Sequence, residues 1–463
     1  MHVPKLFTIL SHLEKEEWNS WIKGVKGQII PGNDAEILLD VLISSRSKLG
    51  SLGQADDLQL RYFPTRSVKY VSNMLSTFLN WTEDWIVLQQ IKAEKFQKEL
   101  TLVRWYNERG LYTFANTTAV DLESQLGDAK NLSLLSTRAK MSLLHTQYFS
   151  NNNVKNEVGP LMLEELTHNF LEVTQMQALM YASELLNWGR IRSHDFSKEI
   201  TLMEQLLLND PQPQGKQYLY DLFELMRNPT LDLAVNLKKR LFEGELNSGE
   251  EIHTIATLYV VAAMVKLHSI GIPIPQNYFM QITEYGMQHG VYTQHGRLTN
   301  VSFHNLIMAI SINADFNEVK AFIEKWAQHV QTKNKEATAA LAMAQNCFYH
   351  ERYREMVRYT WRSDFEFHNQ KTMAMCLHCI ACFMFRNEDP DIYLNALTSF
   401  KKSLLRSKDK FTFRNYKNYS NLFDFMKRCD NESPEQISLD QYDTIIYRKW
   451  CVKVLESMRK KRN

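Results

Sequence analysis

The chain has 463 residues, 44% of them hydrophobic, with a mean hydropathy of -0.36 and a net charge of +2. That length is too great for one compact bundle, and the near-neutral balance excludes bulk electrostatic attraction to nucleic acid or to a membrane surface. Only 16 Gly and 11 Pro occur, which suits long, uninterrupted helical periodicity.

Leu6, Phe7, Leu10 and Leu13 recur at helical spacing, and Trp18, Trp21, Ile22 and Val25 continue it, so two short helices with a tight join are expected. Pro31-Gly32-Asn33-Asp34 reads as a stop followed by an N-cap. A helix is expected over Ala35–Leu49 and another over Val68–Trp81, with Val71, Met74, Leu75, Phe78 and Leu79 as its apolar stripe. A long helix over Glu83–Glu108 should end at Gly110, a favoured C-cap residue. Two more are read between Leu111 and Phe149, broken near Gly127-Asp128. Ser150–Asn153 is a polar loop, Gly159-Pro160 opens a helix over Leu161–Trp188, and Asn209–Gly215 is the clearest breaker. Helices over Tyr218–Met226, Thr230–Phe242 and Glu250–His268 follow, then breakers at Gly271–Pro275 and Gly290–Gly296. The last helix is expected over Leu439–Met458, ahead of Arg459-Lys460-Lys461-Arg462. About twenty helices are expected and no strand, because apolar–polar alternation bounded by turns is missing.

Between Val301 and about Leu405 the helices pair and the pairs recur. Ala309, Ala344 and Cys379 stand 35 residues apart in the first helices, as do Ile312, Cys347 and Cys382. In the second helices Ala321 and Met356 keep the same interval, and so do Trp326 and Trp361. A third second helix, displaced by the turn Asn387–Pro390, places Ala396 and Phe400 on the equivalent face. A helix hairpin cannot bury both apolar faces alone, so stacked hairpins are expected, small residues letting helices approach and Trp326, Trp361 and Phe400 filling the remaining space. The spacing resembles the tetratricopeptide repeat, and Ala396-x-x-x-Phe400 resembles that family's second-helix signature, although no first helix carries a full Trp–Leu–Gly–Tyr set. An irregular helical bundle is the competing reading.

A second resemblance covers both ends. Leu10-x-x-Leu13-x-x-x-Glu17-Trp18, the Pro-Gly-Asn turn, Leu60-x-x-Phe63-Pro64 and Val71-x-x-Met74-Leu75-x-x-Phe78-Leu79 resemble the N-terminal region of a group of uncharacterised helical proteins of Bacteroidetes-type bacteria. Ala396–Met426, with Phe400, Leu404, Leu405, Tyr419, Phe423 and Phe425, resembles the end of the same group. The resemblance implies an all-helical fold and no activity.

Candidate chemistry is sparse. Cys376, His378, Cys379 and Cys382 have the ligand types of a zinc site. On one helix, however, the three cysteines step round about 60° at a time and His378 lies about 160° from Cys376, an arc too wide for one ion. They read as buried structural residues. His145, His253, His304 and His350 are singletons without a His-Glu-x-x-His pairing, and no nucleophile elbow or phosphate-cradling glycine loop occurs. Carboxylate pairs Glu164-Glu165 and Glu250-Glu251 suit helix starts. The basic stretch Lys401, Lys402, Arg406, Lys408, Lys410, Arg414 and Lys417 is interleaved with Phe411, Phe413, Tyr416 and Tyr419. It could hold phosphates and stack bases, or form a solvated face.

All six cysteines follow residue 346, which suggests reduced, buried thiols and a cytoplasmic protein. Met1–Leu13 lacks the pattern of a signal peptide, and the longest apolar run, Ala256–Val265, falls short of the roughly 18–20 residues of a membrane span. The expected fold is all-α: a helical N-terminal region (1–126), irregular helical hairpins (127–300), tetratricopeptide-like repeats forming an α-solenoid (301–430), and a C-terminal helix with a basic tail (431–463). The expected function is a non-enzymatic scaffold, without cofactor or metal, that binds a peptide or partner protein on the repeat surface. RNA or another polyanion held by Lys401–Lys417 is the alternative.

Overall fold

The computed structural model describes residues 4–127, 133–149, 159–192, 194–207, 216–248, 250–294, 297–361 and 364–460. The fold is predominantly helical, with twenty-two α-helices and one small sheet among the described residues. It divides into two compact units, one made of Met1–Ala129 with Ser136–Leu171, the other of Lys130–Leu135 with Glu172–Asn463. The boundaries expected after residues 300 and 430 fall inside the second unit. The loop expected at Ser150–Asn153 and the breaker at Asn209–Gly215 lie outside the described residues, as do Asp128, Lys461 and Arg462.

The first unit begins with α1 (Lys5–Ser11), α2 (Lys15–Lys26), α3 (Asp34–Ser44), α4 (Ala55–Tyr62) and α5 (Val68–Ala93). Asn33 caps α3 as expected, its side chain accepting from the Ala35 and Glu36 amides at 3.0 and 3.3 Å. Trp18, Trp21, Leu38, Leu42, Val71 and Phe78 form the core. The helix expected to break after Trp81 does not. Thr82 returns its hydroxyl to the Phe78 carbonyl at 2.7 Å and accepts the Trp21 indole N–H at 3.0 Å. A residue that reads as a helix start is thereby satisfied inside the helix. The break comes instead at Phe96, which adopts a left-handed conformation (φ 72°) and inserts into a second core with Val103, Leu122 and Leu143. Helices α6 (Gln97–Glu108), α7 (Tyr112–Gly127) and α8 (Leu134–Phe149) surround it, and Gly110 (φ 69°) ends α6 as expected. One boundary between units falls near the start of α8, after Leu135, and another within α9 (Gly159–Arg192), after Leu171.

The second unit contains α10 (Ser197–Leu207), α11 (Gln217–Arg227), α12 (Leu231–Phe242), α13 (Glu251–Ser269) and α14 (Tyr278–Gln288). There follow α15 (Asn300–Ile310), α16 (Phe316–Trp326), α17 (Lys335–Tyr349), α18 (Tyr353–Thr360), α19 (His368–Met384), α20 (Pro390–Ser407), α21 (Phe413–Asn431) and α22 (Arg448–Lys460). From α11 to α21 each helix packs on the next, and α15, α17 and α19 also pack side by side. Helix α13 has the length and apolarity of a membrane span, with a mean hydropathy of 1.3, and half of that window is buried within the protein. Three strands correct the expectation of none: β1 (Thr293–Gln294) pairs antiparallel with β2 (Arg297–Thr299), which pairs parallel with β3 (Val330–Gln331). Strands of two or three residues are too short to show alternation in sequence.

The 35-residue interval survives in the first helices for one of its two series and fails in the second helices: Cys347 and Cys382 are buried, but Ile312 falls beyond the end of α15 and is half-buried. Ala309, Ala344 and Cys379 are all buried. In α16 the buried stripe is Phe316, Val319, Phe322 and Ile323, which turns Ala321 outward. In α18 the stripe is Met356 and Thr360. The buried pairs Val319/Ile323 and Met356/Thr360 therefore stand 37 residues apart, a shift of two that rotates the face by about 160°. Trp326 closes α16 half-buried, whereas α18 stops at Thr360 and leaves Trp361 beyond its end, 77% exposed. Ala321 and Trp361 are thus not core positions. Ala396 and Phe400 are buried on α20.

Trp361→Ala should change stability by no more than about 0.5 kcal/mol, while Trp21→Ala should cost about 3–5 kcal/mol. Paired denaturant melts of the two variants check this ordering.

Candidate functional site

A buried polar network joins α15, α17 and α19. Gln370 donates through Nε2 to Asn300 Oδ1 at 2.7 Å and lies 3.4 Å from His304 Nε2. Asn300 Nδ2 donates to Thr338 Oγ1 at 3.1 Å, and His304 Nδ1 lies 2.8 Å from Gln345 Oε1. One tautomer satisfies every contact: Nδ1–H donates to Gln345 and the Nε2 lone pair accepts from Gln370. Burial lowers the His304 pKa to about 4, against the opposing effect of the Gln345 bond. A proton on Nε2 would also set one donor against another.

Above this network lies a groove of about 770 Å³ where α15, α17 and α19 begin. Arg297, Lys333 and Lys335 supply its positive charge, and Glu366 is the carboxylate among its lining residues. Glu366 accepts from the Lys333 backbone N–H at 2.9 Å and the Thr332 hydroxyl at 2.8 Å, which hold its carboxyl below the usual range. The Lys335 ammonium donates to the Gln328 carbonyl. Val301 and Phe367 add exposed apolar surface.

The basic stretch does not form one surface. Lys401, Lys402 and Arg406 are exposed on α20, and Lys408 and Lys410 are exposed in the short turn that follows. Lys410 donates to His368 Nε2 at 2.6 Å, one residue from Phe367 in the groove. Lys417 turns away to pair with Asp443 at 2.7 Å. The Arg414 side chain lies outside the described residues. Among the interleaved aromatics Tyr419 is buried with its ring tilted against the half-buried Phe411, whereas Phe413 is 80% exposed.

Comparison with protein-family models, curated proteins and solved structures gives no match.

The six cysteines are free and buried. Burial raises the Cys382 thiol to about 11 and the Cys347 thiol to about 12, so neither is poised as a thiolate ligand or nucleophile. Among the described residues no group of three or more His, Cys, Asp or Glu is placed to hold a metal. His378 instead pairs Nδ1 with the Thr360 hydroxyl at 2.9 Å and sets Nε2 3.6 Å from Cys382 Sγ. His145 lies tilted against Phe149, His253 Nε2 meets the Tyr285 hydroxyl at 2.9 Å, and His350 contacts the Asn346 and Ala314 carbonyls.

The helix expected over Leu439–Met458 is formed only from Arg448, after a short turn at Leu439–Gln441. Between them the chain is tied along α21: Tyr442 donates to Asp424 at 2.7 Å, and Asn421 donates to the Thr444 carbonyl at 2.5 Å. Tyr447 (φ 58°) then turns the chain, its ring 4.4 Å from Phe348. Trp450 packs edge-on to Phe383 and Phe425, and Lys453 pairs with Glu351 at 2.6 Å. The C-terminal segment thus rests on α17, α19 and α21.

Sequence reading passed over the network and the groove. The available signal was the i,i+4 pair Asn300 and His304 on an otherwise apolar helix face, matched by Thr338 and Gln370 at the starts of the next first helices.

Because the His304 pKa is depressed, the stability it contributes is complete above about 6.5 and is lost as pH falls toward about 4. The full loss is about 3 kcal/mol. His304→Gln should flatten, though not abolish, the fall in stability over that interval, since burial also lowers the pKa of His253 and His378. Denaturant melts at a series of pH values check the difference in slope.

Proposed function

We propose that the protein is a non-enzymatic interaction scaffold whose second unit binds a peptide or partner protein on a helical-repeat surface. In this reading the helix pairs form a tetratricopeptide-like α-solenoid in which the second-helix register drifts. The observation that carries it is the side-by-side packing of α15, α17 and α19, each followed by its own second helix, with a groove where the three begin. Stacked pairs of this kind create extended binding surfaces, and the inference from architecture to binding is one of analogy. Six free thiols support a reducing, cytoplasmic setting for the scaffold.

A tagged pull-down from the native cell, with and without nuclease, tests the reading. A protein partner retained after nuclease is the expected result; retention of nothing but nuclease-sensitive material would overturn it. The exposure of Lys401, Lys402, Arg406 and Lys408 together with Phe413 favours one alternative, a surface for RNA or another polyanion. That alternative requires binding to fall steeply between low and moderate salt, as released counterions dictate. A flat salt titration would remove it.

A further inference from the structure

We infer that the groove at the starts of α15, α17 and α19 takes an extended acidic peptide carrying bulky apolar side chains. The inference rests on the scaffold reading and names the partner's chemistry. Its volume of about 770 Å³ lies within the range of ligand sites, and it is lined by residues of three successive helix starts rather than by one.

Charge complementarity is the first argument. Arg297, Lys333 and Lys335 face one lining carboxylate, Glu366. That carboxylate is already engaged by the Thr332 hydroxyl and the Lys333 backbone N–H. The positive excess lies on exposed side chains, where it can steer and align an acidic segment. Composition is the second argument. Val301 is 59% exposed and Phe367 42% exposed, an apolar floor for alternate side chains of an extended chain. Gln328 and Gln331 line the same groove, and their amides can bond a peptide backbone in either sense.

Continuity is the third argument. Lys410 reaches His368, the neighbour of Phe367, so the positive surface runs on from the groove to Lys408 and Lys410. Part of the basic stretch thereby acquires a role that it lacks as an isolated run. The track is broken by Glu366, Asp364 and Asp409, all exposed. Discrete carboxylates separated by apolar residues fit such a pattern better than an unbroken row of phosphates, which favours a peptide over RNA.

The test uses the full chain and a fluorescently labelled peptide alternating glutamate with leucine. The same peptide with glutamine for glutamate and an oligouridylate serve as comparators. The glutamate peptide should bind, and both the glutamine replacement and the double substitution K333E/K335E should weaken it about tenfold or more. K408E/K410E should weaken it several-fold. Both lysine pairs are exposed, so circular dichroism should show unchanged helix content. K333A/K335A replaces the charge reversal if it does not.

Equal binding of the glutamate and glutamine peptides, or binding of neither, overturns the inference. So does oligouridylate binding that K408E/K410E abolishes while the peptide stays silent. Indifference to K408E/K410E overturns the continuous track. A partner protein that stays bound to the K333E/K335E variant in the pull-down leaves the scaffold standing and removes the acidic groove. No partner and no peptide binding removes both.

Discussion

A buried amide must find hydrogen-bond partners or it destabilises the fold that buries it. Gln370 meets that constraint by reaching beyond its own helix, to Asn300 and to His304 on α15. Asn300 and His304 in turn bond to Thr338 and Gln345 on α17. Apolar packing alone would let three neighbouring helices slide or rotate with little change in buried area. Directional bonds remove that freedom, because each group has one arrangement that leaves none unsatisfied. The relative heights of α15, α17 and α19 follow, and with them the positions of the three helix starts.

What stands at those starts is therefore defined by what lies beneath. Asn300 belongs to both places, closing the network and lining the groove. The parallel pairing of β2 with β3 adds a second tie at the same edge, joining the residues before α15 to those before α17. Thr332 and the Lys333 backbone then bind Glu366 just before α19. Three successive junctions are thus linked to one another by backbone or side-chain bonds.

The helical class and many helix positions were legible, because they depend on periodicity and capping that a few adjacent residues encode. Asn33 and Gly110 behaved as local chemistry requires. Register between second helices was not legible. Met356 and Trp361 keep the same interval from Ala321 and Trp326, yet one is buried and the other open, because α18 ends one residue before α16 would if the interval were kept. Helix length is fixed by packing against α17 and α19, which a single repeat does not display. The network was hidden for a similar reason. Asn300, Thr338 and Gln370 each resemble ordinary polar residues near a helix start, and only their convergence across about 70 residues gives them a shared role. The break at Phe96 was hidden because a buried aromatic side chain, not a glycine, occupies the left-handed position.

The C-terminal segment carries a consequence for the order of assembly. Lys449 donates to the His268 carbonyl across 181 residues of sequence, and Trp450, Cys451, Val454 and Leu455 complete cores begun by much earlier helices. During synthesis α13 to α21 emerge while the apolar surface destined to meet these residues is still uncovered. Closing so long a loop is entropically slow, and exposed apolar surface on an incomplete unit invites association with other chains. The second unit therefore reaches its native burial only once α22, with Val454 and Leu455, has docked, so its final folding step waits on that helix.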